Sequence, residues 1–135
     1  MKAKTLIVLV LLCTGFMACK KGDTSANPTQ PSILGKWKFL NVVVNDFYSG
    51  TAHVINYPGD PSDYVDFRAD GKVYFVTWGS YDTSAYKIIN NNKIVIEASG
   101  DTSDIILLTS TALQLYQKQV YAPGEYSEST SYMSK

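Results

Sequence analysis

Apolar and polar residues alternate along most of the chain beyond residue 32. No window there keeps the i, i+3, i+4, i+7 apolar spacing of an amphipathic helix, whereas alternation with a period of two recurs throughout. The pattern predicts a nearly all-β domain over residues 33–135. Alternation is weakest in residues 51–57, between a Ser-Gly and a Pro-Gly pair, so this segment is either an edge strand or a long loop.

One hairpin is defined both by turn chemistry and by the parity of its apolar residues. Gly71 suits the left-handed position of a three-residue loop that follows a type I turn. This loop places Val65 opposite Phe75 and Phe67 opposite Val73, so four apolar side chains share one face. A two-residue turn would move Phe75 to the outer face, and we therefore predict the three-residue loop.

A run of asparagines marks the next hairpin. We expect Asn92 to take the left-handed conformation, which Asn tolerates better than most residues. Pairing across residues 90–92 then places Ile88 opposite Ile94, and Tyr86 on the same face. That face is predicted to turn inward.

Two further hairpins complete an antiparallel meander. A four-residue turn at residues 99–102 is predicted to place Ile94 opposite Leu107, and the following turn to place Leu107 opposite Leu115. The last run, residues 126–133, is polar and rich in serine. We expect it to return beside the first strand and close a small up-and-down antiparallel β-barrel of about eight strands.

The first strand of the predicted barrel begins with a Gly-x-Trp sequence at Gly35 and Trp37. Trp37 and Phe39 are two residues apart, so both point to the same face of a strand. A buried Trp is usually a packing residue. We therefore expect Trp37 to plug the closed end of the barrel.

The first residues have the layout of a bacterial export signal. Two lysines near the start precede an apolar run at residues 5–17, which is shorter than the ~20 residues that span a bilayer. Ala18 then precedes Cys19, and this pair resembles the cleavage site of bacterial lipoproteins. Residues 1–18 are expected to be a lipoprotein signal peptide, with Cys19 becoming the lipid-bearing first residue.

The two cysteines are consistent with this processing. Cys13 lies inside the apolar run after Leu12, which a small-residue cleavage site disfavours, so no disulfide is expected in the domain. Residues 19–32 contain no aliphatic run and predict a lipidated Cys with a flexible tether. Acyl chains, such as palmitate, on Cys19 would attach the protein to the cell envelope, at the outer membrane on its periplasmic face or at the cell surface.

The charge of the chain argues against one class of partner. The sequence contains 12 basic and 12 acidic side chains, and removal of the signal peptide would leave a small negative net charge. Nucleic-acid binding requires a basic patch on the protein. A nucleic-acid partner is therefore not expected.

These features together resemble a known family. A Gly-x-Trp strand, a Phe-x-x-Asp-Gly-Lys hairpin, an Asn-rich turn and an isoleucine-rich strand behind a lipobox are similar to the lipocalin-like lipoproteins of Gram-negative bacteria. The resemblance covers about residues 33–135, implies a barrel of about eight strands, and matches Gly35 and Trp37 to the lipocalin signature. The Thr-Asp-Tyr motif, late Arg and C-terminal helix of animal lipocalins are not found, and the short strands imply a small or filled interior.

The sequence indicates neither a catalytic constellation nor a metal site. The single His, His53, lies in the weakest predicted strand, and acylation of Cys19 would leave no Cys/His pair. A lone His is more often exposed or hydrogen-bonded than bound to a metal. The acidic series from Asp60 to Asp70, including Asp63, fits no calcium loop and is expected to form a solvated face. We predict a protein without enzymatic activity, cofactor or metal.

Tyrosine is in excess, with ten in the chain, and five fall in predicted loops: Tyr48, Tyr57, Tyr81, Tyr121 and Tyr126. Tyr48, Tyr81 and Tyr121 are candidate contacts for a ligand or partner. The predicted role is a membrane-anchored, non-catalytic binding or accessory module of the bacterial envelope, which contacts a glycan or an envelope protein through the barrel rim. The alternative is a carrier of a small apolar ligand inside the barrel, which a dry interior above roughly 300 Å³ would favour.

Overall fold

The computed structural model of the protein describes residues 31–135. The predictions for the signal peptide, the lipidation site Cys19 and most of the tether lie outside these residues. Within residues 31–135 no helix is long and apolar enough to cross a membrane. The strands are β1 (Gly35–Tyr48), β2 (Thr51–Pro58), β3 (Tyr64–Phe67), β4 (Lys72–Thr77), β5 (Ser80–Ile89), β6 (Lys93–Ile96), β7 (Thr102–Leu108), β8 (Ala112–Ala122) and β9 (Glu125–Ser134).

Strand β1 joins the two edges of the sheet. One edge of β1 pairs with β3 and then with β2, while its other edge pairs antiparallel with β9. All strands except β2 therefore close into an eight-stranded antiparallel barrel, and β2 is an additional edge strand. The predicted all-β up-and-down barrel is confirmed, including its closure by the last strand, and residues 51–57 belong to the edge strand rather than to a loop.

The hairpin between β3 and β4 has the predicted register. Val65 pairs with Phe75 and Phe67 pairs with Val73. Gly71 has a φ of 80°, as the three-residue loop requires. The register of this hairpin was therefore predictable from the turn chemistry and the parity of the apolar residues together.

The Asn-rich turn between β5 and β6 is correct in register but not in detail. Ile88 pairs with Ile94, as predicted. The left-handed residues are Asn90 and Asn91, with φ of 51° and 60°, rather than Asn92. The chain reverses at the first two residues of the loop, and the N–H of Asn92 donates back across it to close the turn.

The predicted register between β6 and β7 is wrong. Ile94 pairs with Ser103 rather than with Leu107. The turn occupies residues 97–101 because Gly100 takes a left-handed φ of 72° and reverses the chain earlier than expected. The displacement is an even number of residues, so the inward face of the strand is preserved.

The predicted register between β7 and β8 is also wrong. Leu107 pairs with Gln114 rather than with Leu115, because a β-bulge at Ile106 interrupts the alternation of β7. As a result Leu108 packs against the core, while Leu107 is 37% exposed. A bulge leaves no signal in an apolar run in which every residue could face inward.

Buried apolar side chains fill one end of the barrel, called here the closed end, where β1 begins and β9 ends. Trp37 is fully buried there, as expected, and its Nε1–H donates to the carbonyl of Ile33 at 2.6 Å. Gly35 has a φ of 107°, a conformation that favours glycine, at the point where the chain enters β1. The buried apolar residues are Ile33, Trp37, Val65, Phe67, Val73, Ile94, Leu113 and Met133.

Tyr86 completes the packing of the closed end. Its ring stands edge-on to Phe67, with the ring centroids 5.1 Å apart, and its hydroxyl donates to the carbonyl of Arg68 at 3.0 Å. Burial, with a smaller contribution from the Asp70 carboxylate, raises the pKa of Tyr86 above its ordinary value. The interior of this end of the barrel is therefore packed, and the polar atoms of Trp37 and Tyr86 are paired.

Candidate functional site

The other end of the barrel, called here the open end, contains a cavity of about 300 Å³. Its floor consists of apolar core residues of the closed end and of apolar side chains just above them. Its walls near the mouth consist mainly of serines, with two carboxylates and one amide. The floor includes Phe67, Ile94, Met133, Phe75 and Leu115, and the walls include Ser84, Ser103, Gln117, Ser129, Asp82 and Asp101.

The cavity follows from a change in side-chain size along the strands. In β9 the inward positions run from buried Met133 at the closed end to Ser131 and then Ser129, two residues apart each time. The inward parity is unchanged, but each serine is much smaller than the methionine below it. The Ser-rich composition of β9 therefore leaves space in the open half of the barrel.

A smaller recess of about 90 Å³ lies beside the cavity and shares Phe39 and Ser131 with it. The recess extends the cavity outward to Tyr57 of β2 and to Trp78 in the turn between β4 and β5. Trp78 is 66% exposed. Two aromatic side chains therefore stand beside the entrance.

The backbone at Trp78 is strained. Its φ of 48° lies in the left-handed region, and the following Gly79 has a φ of 76°. Such a two-residue turn favours Asn or Gly at its first position, and a left-handed bulky residue costs roughly 1 to 3 kcal/mol. An exposed Trp in this position has no packing role that would explain the strain, so Trp78 is a candidate for function.

A buried carboxylate holds the Trp78 turn in place. Asp63 is 2% exposed, and its Oδ1 accepts a hydrogen bond from the N–H of Trp78 at 2.8 Å. Its Oδ2 accepts from the N–H of Asp60 at 3.0 Å, so one side chain ties the β4–β5 turn to the loop after β2. The expectation that Asp63 belongs to a solvated face is wrong, because two loops with unpaired N–H donors meet at its carboxylate.

The tyrosines expected in loops all lie in strands. Tyr48 ends β1, and Tyr57, Tyr81, Tyr121 and Tyr126 belong to β2, β5, β8 and β9. The Gly and Pro residues that suggested long loops form short turns, because the β1–β2 and β8–β9 hairpins continue almost to their tips. The three candidates remain exposed, at 48% for Tyr48, 64% for Tyr81 and 63% for Tyr121.

The structure does not bring the three candidate tyrosines to one site. The ring of Tyr48 stacks on His53, with centroids 4.5 Å apart, and the Tyr121 hydroxyl donates to Gln119 at 3.4 Å. Tyr81 lies against Tyr74, at 6.2 Å between ring centroids. None of the three lines the cavity or the recess beside it.

The two ends of the barrel differ in charge. Basic side chains cluster at the closed end, with fewer carboxylates, whereas carboxylates predominate at the open end. The closed end carries Lys36, Arg68, Lys72, Lys93 and Lys135, with Asp66, Asp70 and Asp104. The open end carries Asp46, Asp60, Asp82, Glu97, Asp101, Glu125 and Glu128, with Lys118 and His53. Two further lysines act on this end, because Lys87 forms an ion pair with Glu97 and the charge of Lys38 interacts with Asp60.

The part of the chain that the structure describes contains no group of three or more His, Cys, Asp or Glu side chains placed to hold a metal ion. The ring of His53 stacks on Tyr48, and His53 lies opposite Asp46 in the register of the β1–β2 hairpin. Both residues lie in an extension of the sheet beyond the cavity. Neither belongs to the lining of the cavity.

The sequence interpretation missed Trp78, Asp82 and Asp101. A signal for the first two was present, because Trp78-Gly79 separates two alternating segments and could form a two-residue hairpin turn. Pairing across that turn places Asp82 opposite inward-facing Phe75, as the structure has it. Asp101 lies in the loop after β6, where no periodicity indicates which way a side chain points.

Comparison with known proteins gives structural neighbours only. No protein-family model matches this chain, and no curated protein sequence matches it. One similar solved structure is a deswapped triple mutant of bovine odorant-binding protein, with 16% identity and a TM-score of 0.44 over 75% of this chain and 72% of that chain. Another is the complex of bovine odorant-binding protein with undecanal, with 17% identity and a TM-score of 0.43 over 75% of this chain and 69% of that chain. An eight-stranded up-and-down barrel, as described above, is also the architecture of lipocalins.

Proposed function

We propose that this chain is a non-catalytic binding protein that holds a small amphipathic molecule inside the barrel. The observation that carries the proposal is the cavity of about 300 Å³, with its apolar floor and its serine-rich walls. Ligand pockets in proteins measure roughly 300 to 1,000 Å³, so this one suits a small molecule. The apolar floor favours a short hydrocarbon tail, and the walls favour a polar head group.

The interior is a better candidate than the rim tyrosines for a small ligand. Tyr81 packs on Tyr74, whereas Tyr48 stacks on His53 in a hairpin beyond the mouth. A binding surface needs its contacts to converge, and these side chains are divided among separate hairpins. The carrier hypothesis therefore replaces the rim as the main proposal.

Burial of the tail alone does not explain useful affinity. Each buried methylene contributes about 0.8 kcal/mol, so an eight-carbon tail contributes roughly 6 kcal/mol. Association costs about 4 to 15 kcal/mol in lost translational and rotational freedom. The two terms are comparable, so contacts between the head group and the polar walls must decide which molecules bind.

A filled cavity provides the test of this function. Ser131 lines both the cavity and the recess, whereas the preceding residue of β9, Thr130, faces the other side of the sheet. Ser131→Phe should weaken binding of the neutral dye N-phenyl-1-naphthylamine at least about tenfold, and Thr130→Phe should leave it within about twofold. The measurement is a fluorescence titration of the purified full-length chain and both variants. Equal dye affinity in the two variants, or no binding by the wild type, would contradict the proposal.

We also propose that the protein is attached to the bacterial envelope through a lipid on Cys19. The proposal is supported by the export-signal pattern of residues 1–18 and by the small residue Ala18 before the Cys. Cys19→Ser should abolish membrane fractionation and metabolic palmitate labelling, while Cys13→Ser should not. Labelling that persists in the Cys19 variant would refute the lipid site.

The fold is consistent with an anchor that leaves the mouth accessible. Ile33 is buried among the core residues of the closed end, so the chain enters the barrel there. A tether that precedes Ile33 would place the closed end nearer the membrane and the cavity mouth away from it. The lysines and arginine of the closed end would then face the anionic head groups of the bilayer.

A further inference from the structure

We propose that the ligand of the cavity is a cationic amphiphile, an organic amine with a short hydrocarbon tail. The inference rests on the proposed function of the barrel interior and names the chemical class of molecule that the interior would select. The proposal is based on the charged side chains at the mouth of the cavity. Asp82 and Asp101 line the cavity, and no Lys, Arg or His belongs to the lining of the cavity or of the recess.

The two carboxylates reach the mouth from different elements. Asp82 belongs to β5, where it lies opposite inward-facing Phe75, and the N–H of Thr83 donates to its Oδ1 at 2.7 Å. Asp101 belongs to the loop between β6 and β7, next to the start of β7. A head group in the mouth would therefore meet carboxylates from two neighbouring elements of the barrel wall.

No basic side chain among residues 31–135 forms an ion pair with either carboxylate. The ion pairs in this region use Asp66, Glu97, Asp104 and Glu128 instead. Lys118 pairs with Glu128 and Lys87 pairs with Glu97, and neither lysine belongs to the lining of the cavity. The negative charge of the mouth is thus left for a ligand to neutralise.

The aromatic residues of the recess suit the same class of ligand. Tyr57 and Trp78 stand beside the entrance, and an organic cation is attracted to the faces of such rings. The strained left-handed backbone of Trp78, held by Asp63, keeps an indole at this position. A neutral head group would gain less than a cation from the ring faces, and an anion would be repelled by Asp82 and Asp101.

The experiment compares three molecules that share one tail. Octylamine, 1-octanol and octanoate are titrated into the full-length chain by calorimetry at pH 7, where the amine is protonated. We expect octylamine to bind at least about tenfold more tightly than 1-octanol, and octanoate to bind most weakly. In the double variant Asp82→Asn/Asp101→Asn, octylamine should lose most of its advantage over 1-octanol, keeping only the part that Tyr57 and Trp78 supply, while the affinity for 1-octanol stays unchanged.

A matched control distinguishes the effect of the two carboxylates at the mouth from the effect of the total negative charge of the protein. Asp66→Asn/Asp70→Asn removes the same charge from the closed end, and it should change the octylamine affinity by less than about twofold. An equal loss in this control would overturn the assignment to Asp82 and Asp101.

The failures of the two proposals can be distinguished. Octanol binding as tight as octylamine binding, with both lost in Ser131→Phe, would overturn the cationic class and leave the cavity as the site. Absence of binding by all three molecules, together with no dye binding, would overturn both proposals.

Discussion

The closed and open halves of the barrel use the same strands and the same inward parity but differ in what fills them. At the closed end, large apolar side chains such as Trp37, Phe67 and Leu113 are fully or almost fully buried. At the open end, the corresponding inward positions include Ser129 and Ser131 and leave a cavity of about 300 Å³. Alternation therefore determines the barrel, and the size of the inward side chain determines whether a given level is core or cavity.

This contrast separates stability from binding within one small domain. The packed half supplies the burial of apolar surface that holds the fold together. The hollow half forgoes part of that burial and keeps exposed carboxylates and aromatic rings at its mouth. Substitutions should accordingly reduce stability in one half and binding in the other.

The two tryptophans provide the largest test of this separation. Trp37→Ala removes a fully buried ring from the closed end and should lower the free energy of unfolding by about 3 to 5 kcal/mol. Trp78→Ala removes a ring that is 66% exposed and should change it by less than about 1 kcal/mol. Urea unfolding followed by circular dichroism measures both. A Trp37 variant as stable as the Trp78 variant would show that the closed end is not the core.

Asp63 shows a second difference between the two halves. At the open end, a buried polar side chain rather than an apolar one holds neighbouring loops together. Asp63→Ala leaves the N–H groups of Trp78 and Asp60 without their acceptor and should cost about 1 to 3 kcal/mol. Asp66→Ala breaks an exposed ion pair with Arg68 and should cost much less. Thermal unfolding of both variants gives the comparison, and equal losses would mean that Asp63 does not anchor the entrance.

Introducing the same large side chain into each half should cost different amounts of stability, because the closed half is packed and the open half contains a cavity. Val73 is fully buried in the closed end, so Val73→Phe should overpack it and cost about 1 to 3 kcal/mol. Ser131→Phe fills existing space and should cost less than Val73→Phe. Denaturant midpoints of the two variants measure the difference. A larger loss in the Ser131 variant would contradict the presence of the cavity.

Acid should have a small and specific effect on the open end. The Lys118 ammonium, followed by the Tyr116 hydroxyl, lowers the pKa of Glu128 below its ordinary 4.5. Because the folded-state pKa is the lower one, this stabilisation is present above the unfolded-state pKa and is lost as the pH falls through the folded-state value. Glu128→Gln should therefore lose less stability than the wild type when the pH is lowered from about 5 to about 3. Parallel losses in the two proteins would rule out this linkage.

Sequence reasoning recovered the parts of the fold that local chemistry determines. Gly71 and the parity of Phe75 together defined the β3–β4 register, and the parity of Ile88 and Ile94 defined the next hairpin. The bulge at Ile106 could not be predicted from the sequence, because an unbroken apolar run does not indicate which side chains point inward. The faces of the strands are thus more predictable than their exact pairing.

The candidate site was less predictable than the fold. Asp63 looks like any surface carboxylate in the sequence, and only the meeting of two loops makes it a buried acceptor. The tyrosines were assigned to loops from neighbouring Gly and Pro residues, whereas these residues form the short tips of long hairpins. The volume of the cavity depends on how several strands are arranged around Ser129 and Ser131, which alternation along one strand does not specify.

We expect the binding site in the open half of the barrel, and chemical-shift mapping locates it residue by residue. The isotopically labelled full-length chain is titrated with N-phenyl-1-naphthylamine, and backbone amide shifts are recorded by NMR. We expect the largest shifts at Phe39, Phe75, Leu115 and Ser131, which line the cavity from different strands. Shifts confined to the outer surface around Tyr81, with the cavity residues unchanged, would contradict this expectation.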